Sequence, residues 1–392
     1  MSLPIEIEGA GQLLGMPVED FLRDYWQQRP LLIRQAFEGF QSPLSGDDLA
    51  ALSLQEEALS RLVLHDRRRR RWTLETGPFD DDRFDDLPER DWSLLVQDVD
   101  KWDPDVGALL AEFDFLPRWR IDDIMVSFAA PGGSVGAHVD QYDVFLLQGM
   151  GQREWAIDAS PNPDLSLQPG APLKLLRQFK ASHRWRLQPG DMLYLPPGVP
   201  HHGVAVDPCL TLSVGMRAPS LQELLLAVVQ AHARTLPEED RYRDPPLQPA
   251  RDSAELSPSA LAGLAEALQQ ALQGAPTAGP ALQAILLRYL SHYRAPREAQ
   301  PRARPMGPSA LLGRLREGAL LWPDHWLRWL HDGGDPALLA VAGHSVTLSG
   351  ELARDLCAGA AIDAGDWAEL SPADQESLRT LLNLGALQLR KP

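Results

Sequence analysis

Cysteine is almost missing from this chain: only Cys209 and Cys357 occur among 392 residues, far apart. A disulfide framework is therefore not expected, and a reducing cytoplasm fits such usage. No run of about 18 apolar residues occurs, so no membrane-spanning helix is expected. The opening stretch MSLPIEIEGAGQLLGM has no basic start followed by an apolar core, so no secretory signal is expected. Basic residues are the minority, 37 Lys and Arg against 54 Asp and Glu, for a net charge of −17. Direct nucleic-acid binding is not expected from such a balance, because binders usually carry a basic face. Acidity serves solubility first. It would also attract a basic partner.

What is present belongs to a globular chain. Hydrophobic residues make up 44% and charged residues 23%. The length exceeds one ordinary core, so two or three domains are expected. No internal repeat period is evident.

Along the chain, Phe21, Leu22, Tyr25 and Trp26 recur at helical spacing until Pro30, and Leu31 to Ile33 then read as a buried strand. Ser45 is the expected cap of a helix over 45–54. Residues 58–76 alternate as a hairpin with Arg67 to Arg71 at its turn. Five arginines in a row suggest RNA. A solvated turn offset by Asp80, Asp81, Asp82, Asp85 and Asp86 is the better reading. Asp91 to Leu110, with Leu94, Leu95 and Val99, predicts a helix.

From Arg118 to Met216 short apolar runs alternate with Pro/Gly turns, which predicts an all-β barrel or jelly roll. After Pro219 the pattern turns helical, with a loop at 236–258 and a break at Gly274 to Gly279. A linker follows at 296–308, and then a smaller unit with helices and a short hairpin, winged-helix-like in pattern.

The chemistry concentrates in His138-Val139-Asp140. On a strand, residues two apart share a face, so His138 and Asp140 can address one point. Taken alone, this is a common polar pair. The stretch Pro196-Pro197-Gly198-Val199-Pro200-His201 supplies a second imidazole. Two His and one carboxylate with open positions is the ligand set of non-haem Fe(II) oxygenases, so the expected metal ligands and catalytic centre are His138, Asp140 and His201. His202 should face away. Zinc, or the metal of a cupin isomerase, remains compatible with the ligands alone. A 2-oxo acid co-substrate would need a cation for its far carboxylate. Arg153, beginning the strand after His138, suits that need, with Ser127 and Ser213 as hydroxyl donors.

HVDQYDVFLLQGMGQREW (138–155), YLPPGVPHHGVA (194–205) and TLSVGMRAPS (211–220) resemble the JmjC-type bacterial ribosomal oxygenases. More closely they resemble protein-arginine 3-hydroxylases acting on large-subunit ribosomal protein sixteen. DFLRDYWQQRPLLIRQAF (20–37) is similar to that family's opening segment. The resemblance implies an α+β fold. Its core would be a double-stranded β-helix of the cupin/JmjC kind over 1–217, followed by a helical dimerisation region over 218–300 and a winged-helix-like domain over 301–392. It implies iron at His138, Asp140 and His201, 2-oxoglutarate on Arg153 with Ser127 and Ser213, and a substrate arginine held by Asp123, Tyr142 and Met125. It further implies a cytoplasmic homodimer that hydroxylates the β-carbon of an arginine in a basic ribosomal protein. A histidine or methyl-lysine target, or a non-catalytic ribosome-associated module, are the alternatives. Two positions depart from the family: Ser134, where Gly is more usual, and His202, where an acidic residue is common.

Overall fold

The computed structural model describes residues 4–244, 249, 252 and 254–391. The chain separates into two compact units, 1–218 and 219–392.

In the first unit the strands are β1 (Glu6–Glu8), β2 (Leu31–Arg34), β3 (Ser60–Asp66), β4 (Arg71–Thr76), β5 (Trp92–Val96) and β6 (Ile121–Ala129). They continue with β7 (Asp143–Met150), β8 (Arg153–Ile157), β9 (His183–Leu187), β10 (Met192–Leu195), β11 (His201–Ala205) and β12 (Cys209–Met216). Its helices are α1 (Val18–Asp24), α2 (Gly46–Ser53), α3 (Asp82–Asp85), α4 (Val99–Trp102) and α5 (Pro104–Ala108). One sheet runs β1-β2-β10-β7-β12-β6-β5-β3-β4 and a smaller one β11-β8-β9. β1 pairs β2 in parallel, and the remaining neighbours are antiparallel. This is the expected jelly roll.

Period-2 alternation assigns the two faces of the large sheet. On β6, Ile124 and Val126 join the main apolar core, whereas Asp123, Met125 and Ser127 line a cavity on the other face. On β12, Leu210, Leu212, Val214 and Met216 are core, and Thr211, Ser213 and Gly215 line the cavity. The core behind the cavity is aromatic. Phe21 is fully buried with ring centroids 6.2 Å from Tyr25, 5.9 Å from Phe145 and 5.0 Å from Tyr194. Burying one such ring contributes about 1.5–3 kcal/mol, so this packing gives the sheet a firm back.

α2 begins where expected. Ser45 accepts the Asp48 N–H, and Asp48 accepts the Ser45 N–H in return, a reciprocal cap. The turn Gln188–Asp191 also forms as expected, with the Asp191 N–H donated to Gln188 O and Gly190 at φ +91. The helix expected over Asp91 to Leu110 is a correction. Residues 92–96 are β5, and helix begins only at Val99. Ser93 to Val96 are all buried, because β5 is enclosed between β3 and β6. A short apolar run buried on both faces carries no period that distinguishes strand from helix.

The second unit contains α6 (Leu221–Ala233), α7 (Pro258–Leu272), α8 (Gly279–His292), α9 (Pro308–Arg316), α10 (Gly350–Cys357), α11 (Ala364–Glu369) and α12 (Pro372–Leu384). The expected hairpin is β15 (Ala337–Val341) with β16 (His344–Leu348), extended by β14 (Trp329–His331). β13 (Leu320–Pro323) pairs β17 (Leu387–Arg390) as a separate ribbon. Leu311, Trp329, Leu339, Leu352 and Leu378 anchor one core under these strands. Among the described residues no helix is long and apolar enough to cross a membrane.

Candidate active site

A cavity of about 490 Å³ lies in the first unit, lined from both sheets and by the segment Pro172 to Leu175. The amide of Leu176 donates to Ala137 O at 2.8 Å, which fastens that segment beside the loop leading to His138.

His138, Asp140 and His201 come together, with their ligating atoms all within 4.8 Å of one another. Nε2 of His138 lies 3.9 Å and Nε2 of His201 3.6 Å from Oδ2 of Asp140. Each imidazole makes its other contact to backbone, Nδ1 of His138 to Gly136 O and Nδ1 of His201 to Val199 O, both at 3.0 Å. A carbonyl only accepts, so Nδ1 carries the proton in each ring, and both Nε2 lone pairs turn inward. Burial, followed by the neighbouring His138, brings the His201 pKa down to about 4. It is therefore neutral and competent to bind a metal near pH 7.

His138 and Asp140 do not sit within one strand, contrary to expectation. They lie on an extended segment after a loop, held by reciprocal backbone bonds between His138 and His201 at 3.0 and 2.9 Å. The loop forces the difference. Gly136 has φ +80, and a Cβ there would come 2.4 Å from Leu175 Cδ2, a geometry reserved for glycine. The i, i+2 argument survives because the segment is extended. His202 faces away, with its ring edge-on to Phe179 at 6.0 Å.

Arg153 begins β8, with β7 intervening after His138. It is only 3% exposed, and burial lowers its pKa. Among the described residues its one hydrogen bond is long, Nη1 to Thr211 Oγ1 at 3.4 Å, and Nε has no hydrogen-bond partner. No carboxylate among the described residues forms an ion pair with it. A desolvated guanidinium without a counter-charge is costly, so the cavity calls for an anion at this point. Gly203 makes the space, since a Cβ there would come 2.8 Å from both Arg153 Nε and the Trp155 ring. Ser127 is the cross-strand partner of Thr211, and Ser213 that of Met125. Both serines are buried and line the cavity.

Elsewhere in the cavity the charge is reversed. Asp123 is 7% exposed, and its Oδ2 accepts the Asp98 N–H at 3.0 Å. Burial, then the charges of Asp98 and Asp122, push its pKa up to about 7. Tyr142 and Met125 line the same wall. Tyr142 precedes Asp143, which is locked by Arg120 at 2.9 Å and by the Tyr194 hydroxyl at 2.6 Å. Burial, then Asp140, raise the pKa of Tyr142. The ring therefore stays neutral.

Thr211, Gly215 and Arg217 were missed in the sequence. Their signal was available: counting in twos along β12 from Ser213 places all three on the cavity face. Arg61 was also missed. It lines the cavity from β3, with Met125 Sδ at 3.8 Å from Nη2.

Comparison with known proteins gives the family and the fold. The JmjC domain family model matches residues 108–224, and a ROXA-like winged helix model matches 280–388. An AraC-like ligand binding domain model matches 179–293, overlapping both. The chain is 36% identical over 323 residues to a ribosomal protein uL16 3-hydroxylase of Escherichia coli (strain K12), covering 81% of this chain and 82% of that one. It is 40% identical over 210 residues to a probable ribosomal oxygenase of Haemophilus influenzae, covering 53% of this chain and 51% of that one. The X-ray structure of E. coli ycfD is similar with a TM-score of 0.76 at 32% identity, over 96% of this chain and 99% of that one. A structure of that ribosomal oxygenase in complex with cobalt and 2-oxoglutarate is similar at 0.74 and 32%, with the same coverage.

Proposed function

We propose, from the premise that this chain belongs to the JmjC-domain ribosomal oxygenase family, that it hydroxylates C3 of an arginine in the large-subunit ribosomal protein uL16. Iron(II) and 2-oxoglutarate are its cofactor and co-substrate. One observation carries the reading: a His-Asp-His cluster shares a single cavity with a buried guanidinium that has no carboxylate of its own.

The residues fit both groups. His138, Asp140 and His201 supply two imidazole nitrogens and a carboxylate, leaving part of the coordination sphere open. Iron(II) with bound 2-oxoglutarate supplies the oxidising chemistry for inserting one oxygen atom into a C–H bond. Arg153 meets the far carboxylate of 2-oxoglutarate, and Thr211, Ser127 and Ser213 complete that cradle. Pairing neutralises a cation that is otherwise buried alone, so the site favours a dianion over a neutral ligand. Asp123 pairs with the target guanidinium, while Tyr142 and Met125 bear on its aliphatic stem. Their contribution is orientation: a methylene held within reach of the metal while the guanidinium is fixed beyond it. Pro172 to Leu175 form part of the cavity wall. The net charge of −17 favours encounter with a cationic ribosomal protein.

The protein acts as a cytoplasmic homodimer through its helical region. α6 and α7 support this by exposing Leu221, Leu225, Leu226 and Val229, and Leu261, Leu264, Leu268 and Leu272, at helical spacing. Such stripes on a soluble chain are covered by a partner. Light scattering should give twice the chain mass, and a monomer for Leu225→Asp with Leu264→Asp.

Incubation with iron(II), 2-oxoglutarate and uL16 peptides should add one oxygen mass to an arginine with stoichiometric succinate. Absence of both products with every uL16 peptide would overturn the assignment.

A further inference from the structure

Besides Arg61 and Arg153, the cavity is lined by a third arginine of the chain itself. Arg217 extends the cavity-facing row of β12 beyond Gly215. Its guanidinium carbon lies 4.6 Å from the centroid of the Tyr142 ring. Nε is 2.7 Å from Asp122 Oδ2, and the two side chains are only 21% and 12% exposed. Asp122 and Asp123 are adjacent on β6 and therefore diverge: Asp122 is taken by Arg217, and Asp123 turns into the cavity. Gly215, between Ser213 and Arg217, adds no side chain in front of Asp123. A Cβ there would sit 3.4 Å from Asp123 Oδ1.

We propose that Arg217 is a positioning residue that sets the preference for arginine. Anchored by Asp122, it stacks on Tyr142, fixes that ring at the cavity wall, and leaves Asp123 as the carboxylate for an incoming cation. The proposal rests on the arginine-hydroxylase reading and adds to it. Three consequences follow from the charges. Without Arg217, Tyr142 loses the cation that holds its plane. With Arg217 present but Asp122 neutralised, an uncompensated cation faces the incoming guanidinium and repels it. With both removed, the net charge of the wall returns to that of the wild type, but the ring remains unpinned.

The test is steady-state kinetics on an arginine peptide and its lysine counterpart, with 2-oxoglutarate varied separately, for wild type, Arg217→Met, Arg217→Lys, Asp122→Asn and the Met/Asn double variant. Arg217→Met should raise the peptide KM about tenfold, within the range of a partly buried cation–π contact. It should leave the 2-oxoglutarate KM within about twofold and shrink the arginine-over-lysine preference. Asp122→Asn should weaken the peptide at least as much, and the double variant should be no worse than Asp122→Asn alone, since both act through one chain of contacts. Arg217→Lys keeps the ion pair without the flat stack and should fall between wild type and Arg217→Met. An unchanged peptide KM in Arg217→Met, or equal losses in both KM values together with a lower melting temperature, overturns the proposal. A wild type that leaves the arginine peptide unmodified instead removes the reading beneath it, so the two failures are distinguishable.

Discussion

Two regions of one cavity bury ionisable groups of opposite sign, Arg153 and Asp123. Around Arg153 a cation is fully buried with a single long hydrogen bond. Around Asp123 a carboxylate is buried with one oxygen bonded to a backbone amide. β12 links the two regions, since Thr211 bonds Arg153 and Gly215 lies beside Asp123. Four residues of strand separate them by about 13 Å. The lesson is that each region is destabilised in the form that works. A buried charge without its partner costs free energy, and its ligand restores it. The one region therefore suits an anionic group and the other a cationic one.

The largest effect should come from removing what both regions share. His138→Ala or His201→Ala should lower iron content to background and succinate formation by at least about 1,000-fold, because no protein group can replace a metal ligand. Metal analysis and a succinate assay check this. Retention of iron in either variant would break the assignment of the cluster.

Arg153→Met tests the cationic region alone. The KM for 2-oxoglutarate should rise about 100-fold, as expected for a lost buried carboxylate pair. Peptide binding measured by calorimetry should be unchanged. The ligand-free melting temperature should not fall, because an uncompensated charge has left the interior.

Asp123→Asn is the mirror experiment. The kcat/KM for an arginine peptide should drop about 10- to 100-fold, matching a charge-assisted bond of about 1.5–3 kcal/mol. The 2-oxoglutarate KM should stay as in wild type. If both variants damage both substrates equally, the division of the cavity is wrong.

The smallest effect is the dependence on pH. Burial and Asp98 raise the Asp123 pKa to about 7, so the carboxyl is protonated and neutral below that value and charged above it. A cationic substrate needs the charged form. Its kcat/KM should therefore rise with pH, up to about tenfold per unit below pH 7, and level off above. In Asp123→Asn this limb should vanish, and in Asp98→Asn it should move to lower pH.

Much of the site was legible because its signals are local. HVD on an extended segment and PPGVPH at a strand start pointed to His138, Asp140 and His201, whose ligating atoms the fold brings within 4.8 Å of one another. Arg153 followed from the need for a cation near them. The helix expected at 91–110 failed where tertiary enclosure made a short apolar run a central strand. Counting in twos puts Thr211 and Arg217 on the face of Ser213, but the groups they meet there, Arg153 and Asp122, are set only when distant strands pair.

The sequence by itself determined the ligand types, the jelly-roll alternation and the family, since these follow from residue identity and periods of two. Only the tertiary structure decided that Arg153 has no carboxylate, that Asp122 is spent on Arg217 while Asp123 is not, and that both imidazoles turn Nε2 inward. Pairing and desolvation depend on distances between strands far apart in the chain, and those distances exist only once the sheets have closed.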